Sequence, residues 1–253
     1  VESGREPVRS HVVVRAVKFS SAQLRHWLDQ ISELRRRCAS STMESAAPPV
    51  TLHLDCTRVG MATQEQFVSA AAERGLEKGV DYDVFCYTEA EMLSAYPGLA
   101  PLLKFKRIPG IPQENCLAWG CHTEALNLWF QALPEKPSFT WVFEEDTFIA
   151  GSVVDWLQGH DLGGSPAATA DLLASGLDTN ACDGLRIDSM WRDVSTPAYL
   201  AQIDERDMGV AKEHAQRLSA RLLDRLHALA SGAEGEPVAG WSEHATPTLC
   251  RWA

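Results

Sequence analysis

The sequence predicts an α/β fold, a mostly parallel sheet flanked by helices with an irregular C-terminal part, on three observations. Strand-like and helix-like segments alternate four times over the first 150 residues, the pattern that parallel strands joined by crossover helices produce. The strand-like segments are short, apolar and rich in β-branched residues, 11–17 and 50–55 most clearly, as suits strands inside a sheet. The fourth, around Trp141 to Phe143, runs straight into three carboxylates, Glu144, Glu145 and Asp146. Burying three anions costs several kcal/mol each unless cations neutralise them, so the strand is expected to end at the surface there.

Taken in order, a first strand over 11–17 is followed by Ser20 and Ser21, which can cap a helix. That helix places Leu24, Trp27, Leu28, Ile31 and Leu34 on one face and ends near Cys38, with Arg35, Arg36 and Arg37 complementing its dipole. A loop over 39–49 leads to a second strand, 50–55, ending in Asp55. Thr63 is the expected cap of a second helix carrying Phe67, Val68 and Ala71, stopped by the glycines from Gly75 to Gly79. A third strand spans 82–87, and Thr88 or Glu89 opens a short helix through Met92, Leu93 and Tyr96. Four prolines and two glycines between 97 and 112 predict an irregular exposed stretch. Its Lys104, Lys106 and Arg107 either meet an anionic ligand or form a solvated basic loop. A long helix over 114–133 then buries Leu117, Cys121, Leu126, Trp129 and Phe130, and Pro134 and Pro137 end it before the acidic strand.

Beyond Gly151 the order weakens. A short helix is expected over 153–157, long loops over 160–184 and a strand over 185–188. Residues 208–230 carry Ala211, Ala215, Leu218, Leu222, Leu226 and Leu229 at helical spacing, predicting one amphipathic helix. A flexible Gly/Glu link over 231–237 and a terminal loop over 240–250 follow. The expected organisation is a single domain, with 11–151 as a ligand-binding α/β half and 152–253 as a second half.

A length of 253 residues is ample for a real core. The net charge of −11 argues against nucleic acid as a partner. No apolar stretch is long enough to span a bilayer, and no signal peptide is visible. The chain begins Val1, Glu2, Ser3, which suggests a processed or excised piece of a longer protein. Seven cysteines with no CxxC spacing argue against zinc, leaving either a few disulfides or reduced, mostly buried thiols. GxGxxG after the first strand, GxxxxGK[ST], GxSxG and HExxH are all absent from the sequence, which sets aside dinucleotide folds, P-loops, α/β-hydrolases and zincins. Paired aspartates after the first strand, as one class of phosphatase uses, are also missing, since that strand ends Lys18, Phe19, Ser20.

The acids remain. Ligands of open α/β sheets bind at the carboxyl edge of the strands, and hard oxygen donors there suit Mg²⁺ or Mn²⁺. At this point the chain resembles nucleotide-sugar glycosyltransferases of the GT-A class, which have a Rossmann-type sheet and an acidic DxD-type motif after a middle strand. Glu144, Glu145 and Asp146 form a variant of that motif, with Glu144 in place of its first Asp. Trp141, Val142, Phe143, the three acids and Gly151 resemble a phrase of eukaryotic glycosyltransferase-like proteins, and Ser242, Glu243, Pro247 and Thr248 resemble a second. The resemblance implies a metal-dependent transfer of a sugar from a nucleotide-diphosphate donor, a UDP-sugar first, to a glycan or protein acceptor.

A divalent cation across both phosphates would stabilise the charge of the leaving group, and a carboxylate must hold it. Asp146 is the first choice as metal ligand. Glu144 would bind metal, ribose or an ordered water, and Glu145 alternates away from both. The resemblance further implies Glu243 as the base of an inverting transfer, His244 as a completing metal ligand, and Asp55 at the donor's base or ribose. Asp83 is expected only to pair with a neighbour. His122 and Glu124 either face the donor or lie on a partly exposed helix face, and Trp141 and Trp241 either stack on sugar or base or are simply buried. A Golgi or endoplasmic-reticulum lumenal setting, anchored outside this segment, is implied as well. Alternatives are a metal-dependent phosphoester hydrolase using Asp178, Asp183 or Asp188 as a second acid cluster, and a non-catalytic module that keeps the sheet alone.

Overall fold

The computed structural model describes residues 10–40, 50–57, 60–104, 117, 120–161, 166–179, 195–202, 209–240 and 242–250, apart from the side chains of 38–40, 60, 103–104, 161, 166–167, 175–179, 209–210, 212–213 and 243–244. Strands β1 (Ser10–Ala16), β2 (Val50–Asp55), β3 (Asp83–Tyr87), β4 (Phe139–Glu144), β5 (Leu172–Thr179) and β6 (Gly209–Ser219) form one sheet in the order β3-β2-β1-β4-β6-β5. The pairs β1–β2, β1–β4 and β2–β3 are parallel. Strand β6 runs antiparallel to both of its neighbours. The expected mostly parallel sheet flanked by helices is therefore the architecture the chain adopts.

Helices cover both faces because the strands are apolar on both. From β1, Val12, Val14 and Ala16 join Trp27, Ile31, Phe67, Val153 and Leu157 in one core. That face belongs to α1 (Ser21–Ser40), α2 (Gly60–Glu73) and α5 (Val153–Asp161). Val13 and Val142 point the other way, into a core with Trp129, Phe130, Tyr199, Leu222 and Leu226. That side belongs to α4 (His122–Ala132), α6 (Pro197–Gln202), α7 (Ala220–Ser231) and α8 (Ser242–Cys250). A third cluster joins α3 (Glu89–Ala95) to α4 through Met92, Tyr96 and Cys121. Each fully buried Leu, Ile or Phe contributes about 1.5–3 kcal/mol.

Helix ends follow from local chemistry. The Ser20 hydroxyl accepts from the Gln23 N–H at 3.3 Å and the Gln23 side chain accepts from the Ser20 N–H at 2.7 Å, a reciprocal capping box. Thr88 and Glu91 form a second one at the start of α3. The arginines at the end of α1 are paired, Arg36 and Arg37 with Glu33, Arg37 with Asp155 at 2.5 Å and Arg35 with Asp81 at 3.3 Å.

The structure corrects several expectations. Helix α2 begins at Gly60, and Thr63 lies inside its first turn, donating to the Val17 carbonyl at 2.9 Å instead of capping. Pro97–Lys104 is a 3-10 helix that buries Leu99 and Leu102, not an exposed irregular stretch. The expected helix over 114–133 is interrupted at Cys121, which takes a non-helical backbone conformation before α4 begins. The 160–184 region holds strand β5, and 242–250 is a helix rather than a loop. At 231–237, Gly232 at φ 74° caps α7 in the left-handed region that glycine tolerates.

The largest correction is 208–230, where an 11-residue strand precedes α7. Lys212, Glu213 and Gln216 are good helix formers, but intrinsic propensity is a weak prior that tertiary pairing overrides. Pairing with β4 on one side and β5 on the other satisfies backbone groups that two sheet edges would otherwise leave open. Leu218, at 0% exposure, is buried by the strand as fully as by any helix. The expected strand over 185–188 lies outside the described residues.

Candidate functional site

The connections from β1 to β2 and from β2 to β3 build the sheet in one direction, while the chain from β3 passes through α3 and α4 to place β4 on the other side of β1. The strand order thus reverses between β1 and β4. The carboxyl ends of those two strands flank the crevice in which open α/β sheets bind ligands. Arg15 on β1 is in register with Glu144 on β4 and with His53 on β2. A guanidinium, a carboxylate and an imidazole therefore stand side by side at that edge.

Arg15 hydrogen-bonds Oε1 of Glu144, and the pair's side chains are 10% and 21% exposed. The other oxygen of Glu144, Oε2, lies 2.5 Å from Nδ1 of His214 on β6. Asp146 Oδ1 is 4.0 Å from the same nitrogen. Among the described residues, Glu144, Asp146 and His214 offer metal-ligating atoms that all fall within 4.8 Å of one another. Two carboxylates and an imidazole suit Mn²⁺ better than a purely oxygen-loving ion. A cation held by these residues would take the place of the Glu144–His214 contact.

The loop that carries Asp146 is held from both sides. The Glu145 N–H donates to the Arg15 carbonyl at 2.9 Å and the Thr147 N–H to the Glu144 carbonyl at 3.0 Å. Thr147 Oγ1 donates to the His214 carbonyl at 2.6 Å. From α1, Trp27 Nε1 donates to the Glu145 carbonyl at 3.1 Å, Gln30 Nε2 to the Gly151 carbonyl at 2.9 Å, and His26 Nε2 accepts from the Ile149 N–H at 3.2 Å. One face of α1 therefore fixes the turn that aims the acids.

Burial pushes the Glu144 carboxyl up, but the neighbouring Arg15, His122 and His214, with the hydrogen bond from Arg15, together outweigh burial and hold it below the usual carboxylate range. His122, buried on α4 beside the pair, is driven well below its ordinary value by burial and by Arg15, against Glu144. Arg15 is the largest of the neighbours that hold Glu144 down. Glu145 behaves oppositely: burial, with the charges of Glu144 and Asp146, raises it to about 7. His53 is stacked between Phe85 and Tyr87 and donates through Nε2 to the Ala125 carbonyl at 3.0 Å. Burial lowers it to about 3.

Of the residues singled out from the sequence, the structure brings Glu144 and Asp146 together. Asp55 ends β2 on the same sheet edge but is 2% exposed, and its Oδ1 accepts from the Thr57 N–H and hydroxyl at 3.0 and 2.6 Å. It staples its own turn. His122 and Glu124 are buried rather than on a partly exposed helix face. Trp141 is a core residue at 1% exposure, against Phe143 and Trp156, so it is not placed to stack on a sugar. Asp83 accepts from the adjacent Val84 N–H. Glu243 and His244 fall on α8, and their side chains lie outside the described residues, as do Trp241, Lys106, Arg107, Asp183 and Asp188 and the side chains of Lys104 and Asp178.

Sequence reasoning passed over His214 and Arg15. His214 was hidden in a segment read as helix. Arg15 carried a usable signal, a lone charge inside an apolar strand, which must find a partner to be buried.

No protein-family model matches the chain, and no curated protein matches it. Among solved structures, it is similar to mouse xyloside xylosyltransferase 1 in its apo form, at 14% identity and a TM-score of 0.40, over 96% of this chain and 81% of that one. No described helix is long and apolar enough to cross a membrane.

Proposed function

We propose that the chain is a metal-dependent glycosyltransferase that moves a sugar from a nucleotide-diphosphate donor, a UDP-sugar first, to a glycan or protein acceptor. The observation that carries this reading is the convergence of Glu144, Asp146 and His214 at the switch point of a mostly parallel α/β sheet. When bound, Mn²⁺ or Mg²⁺ supplies charge stabilisation for the departing diphosphate. Asp146, 59% exposed, is the ligand open to an incoming diphosphate. Glu144, locked by Arg15 through one oxygen, presents the other. His214 provides a nitrogen from the opposite strand. The hydrogen bonds from α1 and from β1 keep this donor set in place before any ligand arrives, which lowers the cost of binding.

Glu243 as base of an inverting transfer and His244 as a further ligand belong to this proposal, as does a Golgi or endoplasmic-reticulum lumen for the enzyme. A phosphoester hydrolase is the rival reading, and no second acid cluster beside the first favours it among the described residues.

Calorimetry with UDP and Mn²⁺ tests the proposal. Binding of UDP that needs Mn²⁺ and disappears in Asp146→Ala is expected. Absence of binding for both UDP and GDP with metal present would overturn it, and turnover of simple phosphoesters without transfer would shift the assignment to the hydrolase. Glu243→Gln is expected to keep donor binding and lose turnover; unchanged turnover removes that residue from the mechanism.

A further inference from the structure

Helices α4 and α8 meet along a polar seam. The Thr123 N–H donates to Ser242 Oγ at 3.0 Å, and the Thr123 and Thr246 hydroxyls lie 2.6 Å apart. One turn further along α4, Asn127 is 1% exposed and neither its Oδ1 nor its Nδ2 has a protein partner. A buried donor or acceptor without a partner is costly, so an amide with both ends open is a strong anomaly in a folded core.

Next to it is a cavity of about 10 Å³, lined by Asn127, Thr123, Glu124, Ser242 and Thr246 on its polar side and by Leu226 and Leu249 on its apolar side. That volume is at the lower bound of the room one water needs, so there is space for one molecule and not two. A dry hole is expected only where the lining is apolar, and this one is not. Ser242 Oγ accepts from Thr123 and keeps its own hydrogen to donate, while each threonine oxygen has two lone pairs for one neighbour.

We propose that this seam is a built hydration site, in which one buried water is bound by the Asn127 amide and by the hydroxyls of Ser242, Thr123 or Thr246. The water joins α4 to α8 beside the Thr123–Ser242 and Thr123–Thr246 contacts and the packing of Ala245 and Leu249. It is a structural ligand of the chain and is independent of the transferase reading.

The test is a crystal structure of the whole chain at a resolution that shows ordered water, with Asn127→Leu beside it. A single density peak within about 3.2 Å of Asn127 and of a second seam group is expected, and the peak should vanish in Asn127→Leu, whose side chain fills the hole without polar atoms. In solution, the Asn127 side-chain amide protons should show cross-relaxation to a long-lived water. An empty cavity beside Asn127 in the native crystal, or an amide turned onto protein groups, overturns the proposal; so does an amide without contact to long-lived water. The native structure decides the matter alone if Asn127→Leu does not fold.

Discussion

Arg15→Met is the perturbation that weighs most directly on the site. The guanidinium is buried and pairs with a carboxylate that is itself only 21% exposed. Removing one partner of a buried pair costs about 3–5 kcal/mol, because the other charge is left without compensation. Glu144 keeps some access to water and has His214 beside it, so the lower end applies, about 3 kcal/mol. For a chain of this size that corresponds to a fall in Tm of roughly 6–12 °C.

The pH dependence has a definite sign. In the native protein Glu144 lies below its ordinary value, so its contribution is present above an unfolded pKa of about 4.3 and is lost as pH falls through the lower folded value. Without Arg15, burial is opposed much less and the carboxyl rises. The deficit of the variant is then full at pH 7 and shrinks as acid protonates Glu144. Urea denaturation at pH 7 and pH 4, without metal, measures both quantities. Adding Glu144→Gln to Arg15→Met removes the uncompensated charge and should restore at least half of the lost stability. A loss below about 1 kcal/mol, the size of a surface pair, or a double variant no more stable than the single one, would refute the reasoning.

Two smaller perturbations follow from the same structure. Glu145 has its folded pKa raised to about 7, so this group lowers stability progressively as pH rises from about 4.3 towards and past 7; in metal-free buffer, Glu145→Gln should raise Tm at pH 8 and leave it unchanged at pH 4, and equal effects at both would exclude burial of the charge as the cause. Thr88→Ala breaks the capping box of α3 and should cost about 1 kcal/mol in urea denaturation, whereas no measurable loss would mean that packing of Met92 alone sets the start of that helix.

How far the sequence could be read depended on what each segment answers to. Strands β1, β2 and β4 were legible because burial on both faces leaves a run of Val, Leu and Trp, and α1 because Trp27, Leu28, Ile31 and Leu34 repeat at helical spacing. The capping boxes at Ser20 and Thr88 are local chemistry, and local chemistry is written in consecutive residues. Strand β6 was not legible, because Ala211, Ala215 and Leu218 carry helical spacing while the sheet uses the segment's backbone rather than that pattern. The site divides along the same line. Asp146 and Glu144 are neighbours in sequence and were visible there. Arg15 and His214 reach them only through strand register, across 129 and 70 residues, counted from 15 to 144 and from 144 to 214.

His214 tests that division directly, because its place in the site exists only if 209–219 is a strand in the observed register. Phe143 is opposite Ala215 in the β4–β6 ladder, which puts Glu144 beside His214 at the next step. A shift of one residue would turn His214 to the other face of the sheet, and a helix would place it elsewhere altogether. His214→Ala should leave the fold intact, since the side chain is 60% exposed. Outer partners of metal ligands already cost about 10–100-fold in affinity when removed, so loss of a ligand should weaken Mn²⁺ at least about tenfold. That change equals about 1.4 kcal/mol of lost metal-dependent stabilisation at saturating cation. Titration of Mn²⁺ into the native chain and into His214→Ala, with circular dichroism to confirm the fold, measures it. An unchanged Kd would remove His214 from the ligand set and leave Glu144 and Asp146 to hold the cation without β6.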